Sequence, residues 1–412
     1  MNVLFLSLID FDNIDERNIY TDLLREFWKA GHKLYVISPV ERKTGKKQKV
    51  IKTKKATIIK PRIYDMQKVG YIKKAFSMFT IESILTETIK RVLSNVKFDL
   101  VLYATPPITF EKAVSFVKKR DGAVTYLLQK DIFPEGLLDL NVLSTHGWKG
   151  IIYNYYRKKE KKLLMASDYI GCMSQANIDY IRNHNPFLDP ERVELCPNSI
   201  EPIDKSVDLH TRKMIRQKYD IPLDKKVFVY GGNLGKPQGI PFLIECLKKC
   251  KNIENAFFLI VGDGTEYHLL QEFVYKDAPK NVKLMKRLPK EDYDTMVGAC
   301  DVGMIFLDHR FTIPNFPSRL LSYMQAKLPI LAVTDPNTDI GQVIVDGGFG
   351  WWCESNNVNA FSNTVIKIVD LMRNTMPDKS FDYLQKNYSA KESYKLIISK
   401  VDLKKCDFNQ RK

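Results

Sequence analysis

Four loop segments in the second half of the sequence carry residues suited to binding a phosphate. The segment GGNLGKPQG (Gly231 to Gly239) follows an apolar run, and its glycines let the main chain approach a ligand closely. Gly262-Asp263-Gly264 and Arg287-Leu288-Pro289 follow the next two apolar runs, and PNFPSR (314–319) follows a third. Because the carboxyl ends of parallel strands meet at one edge of a sheet, these segments together predict a nucleotide diphosphate site.

The segment PNFPSR also predicts the start of a helix. Pro317 has the fixed φ that suits the first helical position, which places Ser318 and Arg319 in the first turn. Unpaired N–H groups and the helix dipole favour an anion there. The helix is expected to bury Leu320, Leu321 and Met324. The alternative is an ordinary helix that carries a surface arginine.

The glycine segment matches neither common nucleotide-loop pattern. It is not a Walker loop, because Pro237 follows Lys236 and the leading glycine is missing, and it is not GxGxxG. The prediction of a diphosphate site therefore depends on the four segments jointly.

Carboxylates in the first half of the sequence could act as a base. QKDIFPE (129–135) follows an apolar run and supplies Asp131 and Glu135, which could remove a proton or bind sugar hydroxyls, or could simply cap the next helix. Asp10-Phe11-Asp12 and Asp292-Tyr293-Asp294 have the composition of metal-binding pairs. Such short patterns arise easily by chance, so no metal site is predicted.

Alternating apolar runs and amphipathic stretches must position these residues. The first half has expected strands at 3–9, 33–38, 56–59, 100–104, 123–128, 169–173 and 193–196, and a helix from about Ile19 to Ala30 that ends at Gly31. A polar linker with a short helix spans 201–226. Further strands are expected at 227–230, 257–261, 282–285, 302–307, 328–333 and 350–353, before one or two helices over 381–401. This alternation predicts two doubly wound parallel α/β domains.

Length and composition are those of a globular protein with more than one domain. The 412 residues exceed the usual size of one hydrophobic core. The first residues resemble a core strand more than a secretory signal, and no apolar run is long enough to span a membrane. The seven cysteines are scattered singly, which favours free thiols in a reducing cytoplasm.

The net charge of +16 indicates an anionic surface or substrate. Two segments, 69–93 and 148–164, place aromatic residues beside basic ones, the pattern of a helix lying on an anionic membrane. The alternative is that the aromatic residues are core and the lysines a solvated face. A basic run over 42–55 is expected to be a flexible loop or hairpin. No helix-turn-helix, finger or RNA-binding sheet motif is present, so no nucleic-acid partner is expected.

The order of the motifs resembles bacterial family-4 glycosyltransferases of the GT-B fold, especially the branch of capsule and O-antigen gene clusters. The resemblance covers nearly the whole chain and depends on AGHKLYVISP, FDLVLYATPP, QKDIFPE, ASDYIGCMSQ, VELCPNSIE, GGNLGKPQG, VGDGTE, ACDVGMIFLD and IPNFPSRLLSYMQAKLPILAV. It implies an acceptor-binding domain at 1–204, a nucleotide-sugar-binding domain at 205–380, and C-terminal helices at 381–412 that return to the first domain. The two Rossmann-like domains would face a central cleft, and the sugar would be transferred with retention and without a metal or cofactor.

The sequence departs from this family at the donor site. The two glutamates that often hold the donor fall at Pro314 and Ser322, and the usual Arg and Lys fall at Asn233 and Gln238. Lys236 and Arg319 are therefore expected to hold the diphosphate. The full set expected at the donor is Gly232, Asn233, Gly235, Lys236, Gln238, Gly262, Gly264, Arg287, Leu288, Asn315, Phe316, Pro317, Ser318, Arg319 and Ser322.

The acceptor side departs from the family as well. The usual glycine loop is replaced by DNIDER (12–17), so Asp12, Asn13, Glu16 and Arg17 are expected there, and the frequent histidine falls near Pro106. Asp131, with Glu135 beside it, is the expected base.

The resemblance implies a hexosyl- or N-acetylhexosaminyl-transferase that uses a nucleotide-sugar and a polyprenyl-diphosphate-linked saccharide. Such an enzyme would be cytoplasmic and peripheral at the inner face of the plasma membrane. Two alternatives remain open. One is a non-catalytic GT-B subunit that binds nucleotide or a partner, and the other is a sugar-nucleotide 2-epimerase.

Overall fold

The apolar runs form strands and the amphipathic stretches form the helices between them. The structure, a computed structural model, describes residues 1–65, 71–371 and 379–410, with side chains described outside 71–76, 78, 79 and 405–410. By their internal contacts these residues divide into two units, Met1–Glu201 with Ser389–Lys412 (unit 1) and Pro202–Tyr388 (unit 2). The functional domain limits expected from the sequence remain predictions.

Unit 1 is built on an almost entirely parallel sheet. Its strands are β1 (Asn2–Leu6), β2 (Lys33–Ile37), β3 (Val40–Glu41), β4 (Lys49–Lys52), β5 (Ala56–Lys60), β6 (Arg62–Ile63), β7 (Leu100–Ala104), β8 (Val124–Gln129), β9 (Tyr169–Cys172) and β10 (Val193–Leu195). Eight of them pair in the order β10-β9-β8-β7-β1-β2-β5-β4, while β3 and β6 form a separate pair. The edge strand β4 runs antiparallel to β5, so the basic run includes one strand of a hairpin.

Helices cover both faces of this sheet, as parallel strands require. They are α1 (Ile19–Lys29), α2 (Tyr71–Val92), α3 (Glu111–Asp121), α4 (Glu135–Asp139), α5 (Gly147–Ala166) and α6 (Gln175–His184). The helix α1 begins at a capping box of Asn18 and Thr21. It ends before Gly31, whose φ of 82° confirms the expected left-handed turn.

Unit 2 contains a six-stranded parallel sheet. Its strands are β11 (Lys226–Asn233), β12 (Ala256–Asp263), β13 (Val282–Lys286), β14 (Val302–Phe306), β15 (Ile330–Thr334) and β16 (Gly350–Glu354). Their order in the sheet is β13-β12-β11-β14-β15-β16. The chain adds strands on one side of β11 up to β13 and then on the other side from β14, so the strand order reverses between β11 and β14. In an open α/β sheet, this reversal leaves a crevice outside the carboxyl ends of the strands, where ligands bind.

The helices of unit 2 alternate with its strands. They are α7 (Leu209–Lys218), α8 (Ile240–Lys249), α9 (Tyr267–Asp277), α10 (Lys290–Gly298), α11 (Arg319–Gln325), α12 (Ile340–Asp346), α13 (Val358–Leu371) and α14 (Lys379–Asn387). The last helix, α15 (Ala390–Gln410), belongs to unit 1, where the Tyr394 ring meets the Phe27 ring edge-on at 4.9 Å.

The predicted fold class is confirmed, because both units are α/β with parallel sheets. Every strand expected from the apolar runs is present, and its ends shift by at most three residues. Shifts of three residues occur at β1, which ends at Leu6 so that Leu8 and Ile9 are loop residues, and at β11, which extends to Asn233. The six cysteines within the described side chains are buried free thiols. None of the helices within the described residues is long and apolar enough to cross a membrane.

Candidate functional site

The end of β11 needs glycine at two adjacent positions. A Cβ on Gly231 would lie 1.7 Å from Tyr293 Oη, so no side chain fits there. Gly232 has a φ of 125°, a conformation that other residues rarely adopt. The exposed main chain of Gly232 is therefore open to a ligand at the point where the strand order reverses.

Gly262, near the end of β12, and Gly264, directly after it, allow close packing against the glycine segment 231–239. A Cβ on Gly262 would lie 2.0 Å from the carbonyl oxygen of Gly232, and a Cβ on Gly264 would lie 2.3 Å from that of Leu234. We expected Gly262 and Gly264 to contact the donor. The structure shows them packed against Gly232 and Leu234, and their contact with the donor stays a prediction.

Arg319 lies beside the glycine loop and is not an ordinary surface arginine. Its guanidinium carbon sits 4.4 Å from the centre of the Tyr230 ring. Its Nη2 is 3.5 Å from the position of a Cβ on Gly232. Its Nη1 is buried and has no hydrogen-bond partner among the described residues. Leaving a buried charged donor unpaired is costly, so an anion that accepts from Nη1 would be stabilised here.

The helix that carries Arg319 starts later than predicted. The first helical residue of α11 is Arg319, so Pro317 and Ser318 precede the helix. Ser318 already has helical φ and ψ but makes no side-chain capping bond, which explains the shift of two residues. The predicted buried face is confirmed, since Leu320, Leu321 and Met324 are all buried.

Tyr323, which the sequence did not single out, fixes α11 to the sheet. Its hydroxyl donates to the carbonyl oxygen of Met304 at 3.0 Å and accepts from the N–H of Gly231 at 3.2 Å. A Cβ on Gly303 would lie 2.4 Å from the Tyr323 ring, so that glycine makes room for it. The sequence could have indicated Tyr323, because an aromatic residue four positions after Arg319 lies on the same face of the helix.

Two polar residues of the glycine loop hold the loop itself. The amide of Asn233 donates to Gln238 Oε1 at 2.9 Å, and the N–H of Gly235 donates to the same oxygen at 3.2 Å. These side chains replace the cations of the resembling family, and the bonds show them stabilising the loop conformation. Lys236 between them is exposed and makes no ion pair with a described residue.

Glu266 is a second residue that sequence reasoning missed. Its N–H donates to the carbonyl oxygen of Leu234 at 2.9 Å, which ties it to the glycine loop. Its Oε2 is buried without a partner among the described residues. Burial raises the pKa of the Glu266 carboxyl, while the charge of Lys236 lowers it. The sequence could have indicated Glu266, because it is the last residue of VGDGTE and places a carboxylate directly after a glycine loop of the phosphate-binding type.

The other expected donor residues differ in exposure. Phe316 is buried and its ring packs 6.1 Å from that of Tyr388, so its side chain belongs to the core of unit 2. The amide of Asn315 donates to the carbonyl oxygen of Ile313 at 3.3 Å. Arg287 and Ser318 are exposed, and Leu288, Pro317 and Ser322 are half-buried.

The two candidate bases of unit 1 have different surroundings. Glu135 accepts from Tyr153 Oη at 3.3 Å and pairs with Arg157 Nε at 3.1 Å, so it is part of a structural ion pair. Asp131 follows β8 and makes no ion pair with a described residue. Desolvation raises the pKa of Asp131 to about 6, although the residue as a whole is exposed. Of the two carboxylates, Asp131 is therefore the one without an ion pair among the described residues.

The acidic loop after β1 is held by lysines of the basic run. Asp12 pairs with Lys49 at 2.7 Å and with the fully buried Lys60, while Asp10 pairs with Lys46 at 2.5 Å and with Lys60. Lys55 pairs with Asp15. The basic run thus neutralises this loop, which accounts for much of its charge without an external anion.

The remaining residues expected on the acceptor side are also engaged internally. Glu16 Oε1 accepts from the N–H groups of Asp12 and Asn13 at 3.0 and 3.3 Å, and Arg17 pairs with Glu201 at 3.3 Å. Their observed role is to shape the loop after β1.

Comparison with known proteins places these features in context. Residues 211–380 match the family model "Glycosyl transferases group 1". The chain is 26% identical over 296 residues, 71% of each chain, to the probable glycosyltransferase WbjE of Pseudomonas aeruginosa. It is 23% identical over 256 residues, 60% of each chain, to the putative colanic acid biosynthesis glycosyl transferase WcaI of Escherichia coli K12.

The fold resembles that of solved glycosyltransferase-type structures. The Anabaena protein Alr3699/HepE, crystallised with UDP-glucose, superposes with a TM-score of 0.68 over 98% of this chain and 99% of that one, at 12% identity. At this identity the likeness concerns the fold alone. Together with the family match and the named relatives, these findings support an enzyme, a transferase with a group 1 glycosyltransferase domain at residues 211–380.

Proposed function

We propose that the chain is a retaining glycosyltransferase that moves a sugar from a nucleotide-sugar to a polyprenyl-diphosphate-linked saccharide in capsular or O-antigen polysaccharide biosynthesis. The observation that carries this proposal is the guanidinium of Arg319, with its unpartnered Nη1, beside the open main chain of Gly232. A cation beside exposed glycine main chain, at the point where the strand order of a parallel sheet reverses, suits a nucleotide diphosphate. The polysaccharide role is supported by the similarity to WcaI, a putative glycosyl transferase of colanic acid biosynthesis.

The proposed chemistry places charge stabilisation on the donor side. Arg319 and the exposed Lys236 would hold the diphosphate, and the same cations would stabilise the negative charge that grows on it as the glycosidic bond breaks. Glu266 would accept a hydrogen bond from a donor hydroxyl through its unpaired Oε2. No metal or cofactor takes part in this scheme.

The proposed base is Asp131. A carboxyl with a raised pKa is a better proton acceptor near neutral pH than an ordinary aspartate, so it could take the proton from the attacking hydroxyl of the acceptor. Glu135, already paired with Arg157, would support the local structure instead.

Membrane contact is part of the proposal and depends on one face of α5. Trp148 and Ile151 are 69% and 73% exposed, and Lys158, Lys161 and Lys162 farther along the helix are exposed too. Tyr156 is buried, Arg157 pairs with Glu160, and Lys159 pairs with Glu82, so part of the predicted aromatic and basic set is structural. The other segment, 69–93, has its aromatic side chains largely outside the described residues. We propose that the exposed Trp148 ring and the cations that follow it along α5 contact the headgroups of an anionic bilayer at the inner face of the plasma membrane.

Transfer assays test the proposed activity. Radiolabelled UDP-, GDP- and dTDP-sugars are incubated with the protein and with lipid-linked saccharides extracted from polysaccharide-producing cells. We expect one donor to label the lipid fraction, and Lys236→Ala to lower the label while the matched exposed variant Lys249→Ala does not. Folded protein that transfers sugar from none of the donors would refute the activity.

One observation favours a second candidate function. Pro314 and Ser322 stand where the resembling family has glutamates, which suits a non-catalytic subunit that binds a nucleotide and turns nothing over. Nucleotide binding without transfer would identify such a subunit. Interconversion of free nucleotide-sugars without an acceptor would identify a 2-epimerase.

A further inference from the structure

Unit 1 contains a cavity of about 610 Å³ at the carboxyl ends of its central strands. This volume is within the range of small-molecule sites. Most of its lining is apolar and comes from the segments that follow β1, β2, β7 and β8, including Leu8, Ile9, Pro106, Pro107, Ile108 and Phe133. The predicted acceptor residues Asp12, Asn13, Glu16 and Arg17 are not in the lining, so the cavity is a different candidate site.

The charged groups of the lining are already paired with one another or with neighbours. Lys43 pairs with Glu41 at 2.6 Å, and Asp10 pairs with Lys46 and Lys60. Burial acts to raise the pKa of Asp10, but these two ammonium groups hold it below its usual value, so Asp10 stays ionised. The cavity therefore offers carboxylate oxygens that can accept hydrogen bonds, and its lining cation, Lys43, is already engaged by a carboxylate.

The cavity lies close to the proposed base. Thr105, which directly precedes the lining residue Pro106, donates from its Oγ1 to the carbonyl oxygen of Asp131 at 3.5 Å. Phe133 lines the cavity two residues after Asp131. A hydroxyl of a molecule held in the cavity would be positioned near the Asp131 carboxylate.

We propose that this cavity binds the terminal sugar of the acceptor, and that it selects an uncharged sugar with an apolar face, such as a 6-deoxy or N-acetylamino sugar. The proposal rests on the proposed glycosyl transfer and names the acceptor class for it. The methyl group of such a sugar would contact the proline, isoleucine and phenylalanine side chains, while its hydroxyls donate to the carboxylates at Asp10 and Glu41.

Two other parts of a lipid-linked acceptor fit the cavity less well. A diphosphate would meet carboxylates and no unpaired lysine within the lining. A prenyl chain would cover Asp10 and Glu41 without donating hydrogen bonds to them, and polar groups covered in this way cost free energy. A sugar can contact the apolar side chains of the lining and also donate hydrogen bonds to its carboxylates.

The test fills the cavity and leaves the rest of the protein intact. Ile9 lines the cavity yet is 41% exposed, so Ile9→Trp adds volume there without disturbing the core. Val50, on the edge strand β4 and 45% exposed, is not in the lining, and Val50→Trp is the matched control. Binding of methyl fucoside, methyl N-acetylglucosaminide and methyl glucoside to the full chain is followed by saturation-transfer NMR, with inorganic diphosphate and geraniol as separate competitors.

The expected result is that the 6-deoxy and N-acetyl glycosides bind better than the glucoside. Ile9→Trp should weaken their binding at least tenfold, whereas Val50→Trp and UDP or GDP affinity should not change. The inference is overturned if none of the glycosides binds, if Ile9→Trp binds them normally, or if diphosphate or geraniol displaces them. Glycoside binding that depends on Ile9 in a protein without transfer activity would refute the proposed function and leave the cavity assignment standing.

Discussion

At the residue scale, the donor side depends on one guanidinium whose hydrogen-bonding capacity is incompletely used. Arg319 stacks over Tyr230 and lies beside Gly232, and its Nη1 has no partner within the described part of the chain. Lys236 is exposed and unpaired on the same loop. By contrast, Asn233 donates a hydrogen bond to Gln238, so these two side chains stabilise the loop conformation. Binding of the diphosphate is therefore proposed for Arg319 and Lys236.

Replacing Arg319 should weaken nucleotide binding. Arg319→Met keeps an unbranched side chain over the Tyr230 ring but removes the charge and the donors. A hydrogen bond to a charged group is worth about 1.5–3 kcal/mol, so we expect roughly 10- to 150-fold weaker binding of UDP or GDP. Isothermal titration calorimetry measures the affinity, and circular dichroism checks that the fold is kept. Wild-type affinity in a folded Arg319→Met protein would remove Arg319 from the site.

Asp131 should govern the pH dependence of turnover. The base acts when ionised, and its pKa is raised to about 6, so kcat should rise as the pH increases through about 6. Asp131→Asn should lower kcat by about 10²- to 10⁴-fold, the usual contribution of a general base, and should abolish this rising limb. Glu135→Gln is the comparison variant and should keep the limb. The role of Asp131 is wrong if its variant retains both the rate and the pH profile.

At the element scale, the site depends on how α11 and the two glycine loops are held together. Tyr323 joins Gly231, near the end of β11, to Met304, in the middle of β14, through two hydrogen bonds of its hydroxyl. Gly303, Gly262 and Gly264 each make room for a close approach that a side chain would block. The position of Arg319 is thus set by packing and bonding at the far end of its own short helix.

Removing the Tyr323 hydroxyl should therefore destabilise unit 2. Tyr323→Phe leaves the buried N–H of Gly231 without its partner, which costs about 1–3 kcal/mol. Urea unfolding monitored by circular dichroism gives the change, with Tyr275→Phe as a control because Tyr275 is 87% exposed. Nucleotide affinity should fall as well, since Gly231 and Arg319 would be less firmly placed. Equal stability of the two variants would show that the hydroxyl bridge contributes nothing.

The helix α5 carries a buried carboxylate that should make stability depend on pH. Burial and the charge of Glu135 raise the pKa of Glu160 to about 8, although Arg157 opposes this. An unfolded glutamate titrates near about 4.3. Between about pH 4 and about pH 8 the unfolded chain releases a proton that the folded one keeps, so the free energy of unfolding decreases as the pH rises.

Glu160→Gln, which mimics the neutral carboxyl, should flatten this dependence. We expect the wild-type Tm to fall by several degrees between pH 5 and pH 8, and the Glu160→Gln protein to lose less. Differential scanning calorimetry across this range gives the comparison, with the exposed Glu191→Gln as the control. A slope unchanged by the Glu160 substitution would mean that the carboxyl is ionised throughout.

At the scale of the whole molecule, some of the excess lysines form ion pairs within unit 1 and others remain exposed to solvent. The acidic loop after β1 forms ion pairs with four lysines of unit 1, namely Lys46, Lys49, Lys55 and Lys60. Lys158, Lys161 and Lys162 remain exposed farther along α5 than Trp148 and Ile151. In a chain with a net charge of +16, the exposed side chains of α5 are the surface that we propose for an anionic partner.

Substitution of the two exposed apolar residues should reduce membrane binding. Trp148→Ala/Ile151→Ala removes the groups that would enter the headgroup region, and Leu195→Ala, at a 49% exposed position of unit 1, is the control. Co-sedimentation with vesicles containing phosphatidylglycerol should fall several-fold for the double variant only, and binding should weaken with added salt. Equal binding of all three proteins, or equal binding to phosphatidylcholine vesicles, would argue against this surface.

Local sequence patterns predicted most of the fold and located the segments of the proposed donor site. Apolar runs located every strand of both main sheets except β4, because a strand buried on both faces must be apolar along its length. The glycine loop and Arg319 were also found from sequence, since the need for glycine and the position of a helix start are local properties. Their meeting at one edge of the sheet follows from the parallel order of the strands.

Only the tertiary structure decided which polar side chains are already occupied. The pairing of Asp12 with Lys60, of Glu135 with Arg157 and of Asn233 with Gln238 joins residues whose contact no local periodicity records. The cavity of unit 1 likewise combines loops from four separated parts of the chain. Hydrogen bonds and cavities depend on distances across the fold, whereas the strand pattern depends on neighbours along the chain, and this difference separates what could be read from the sequence from what could not.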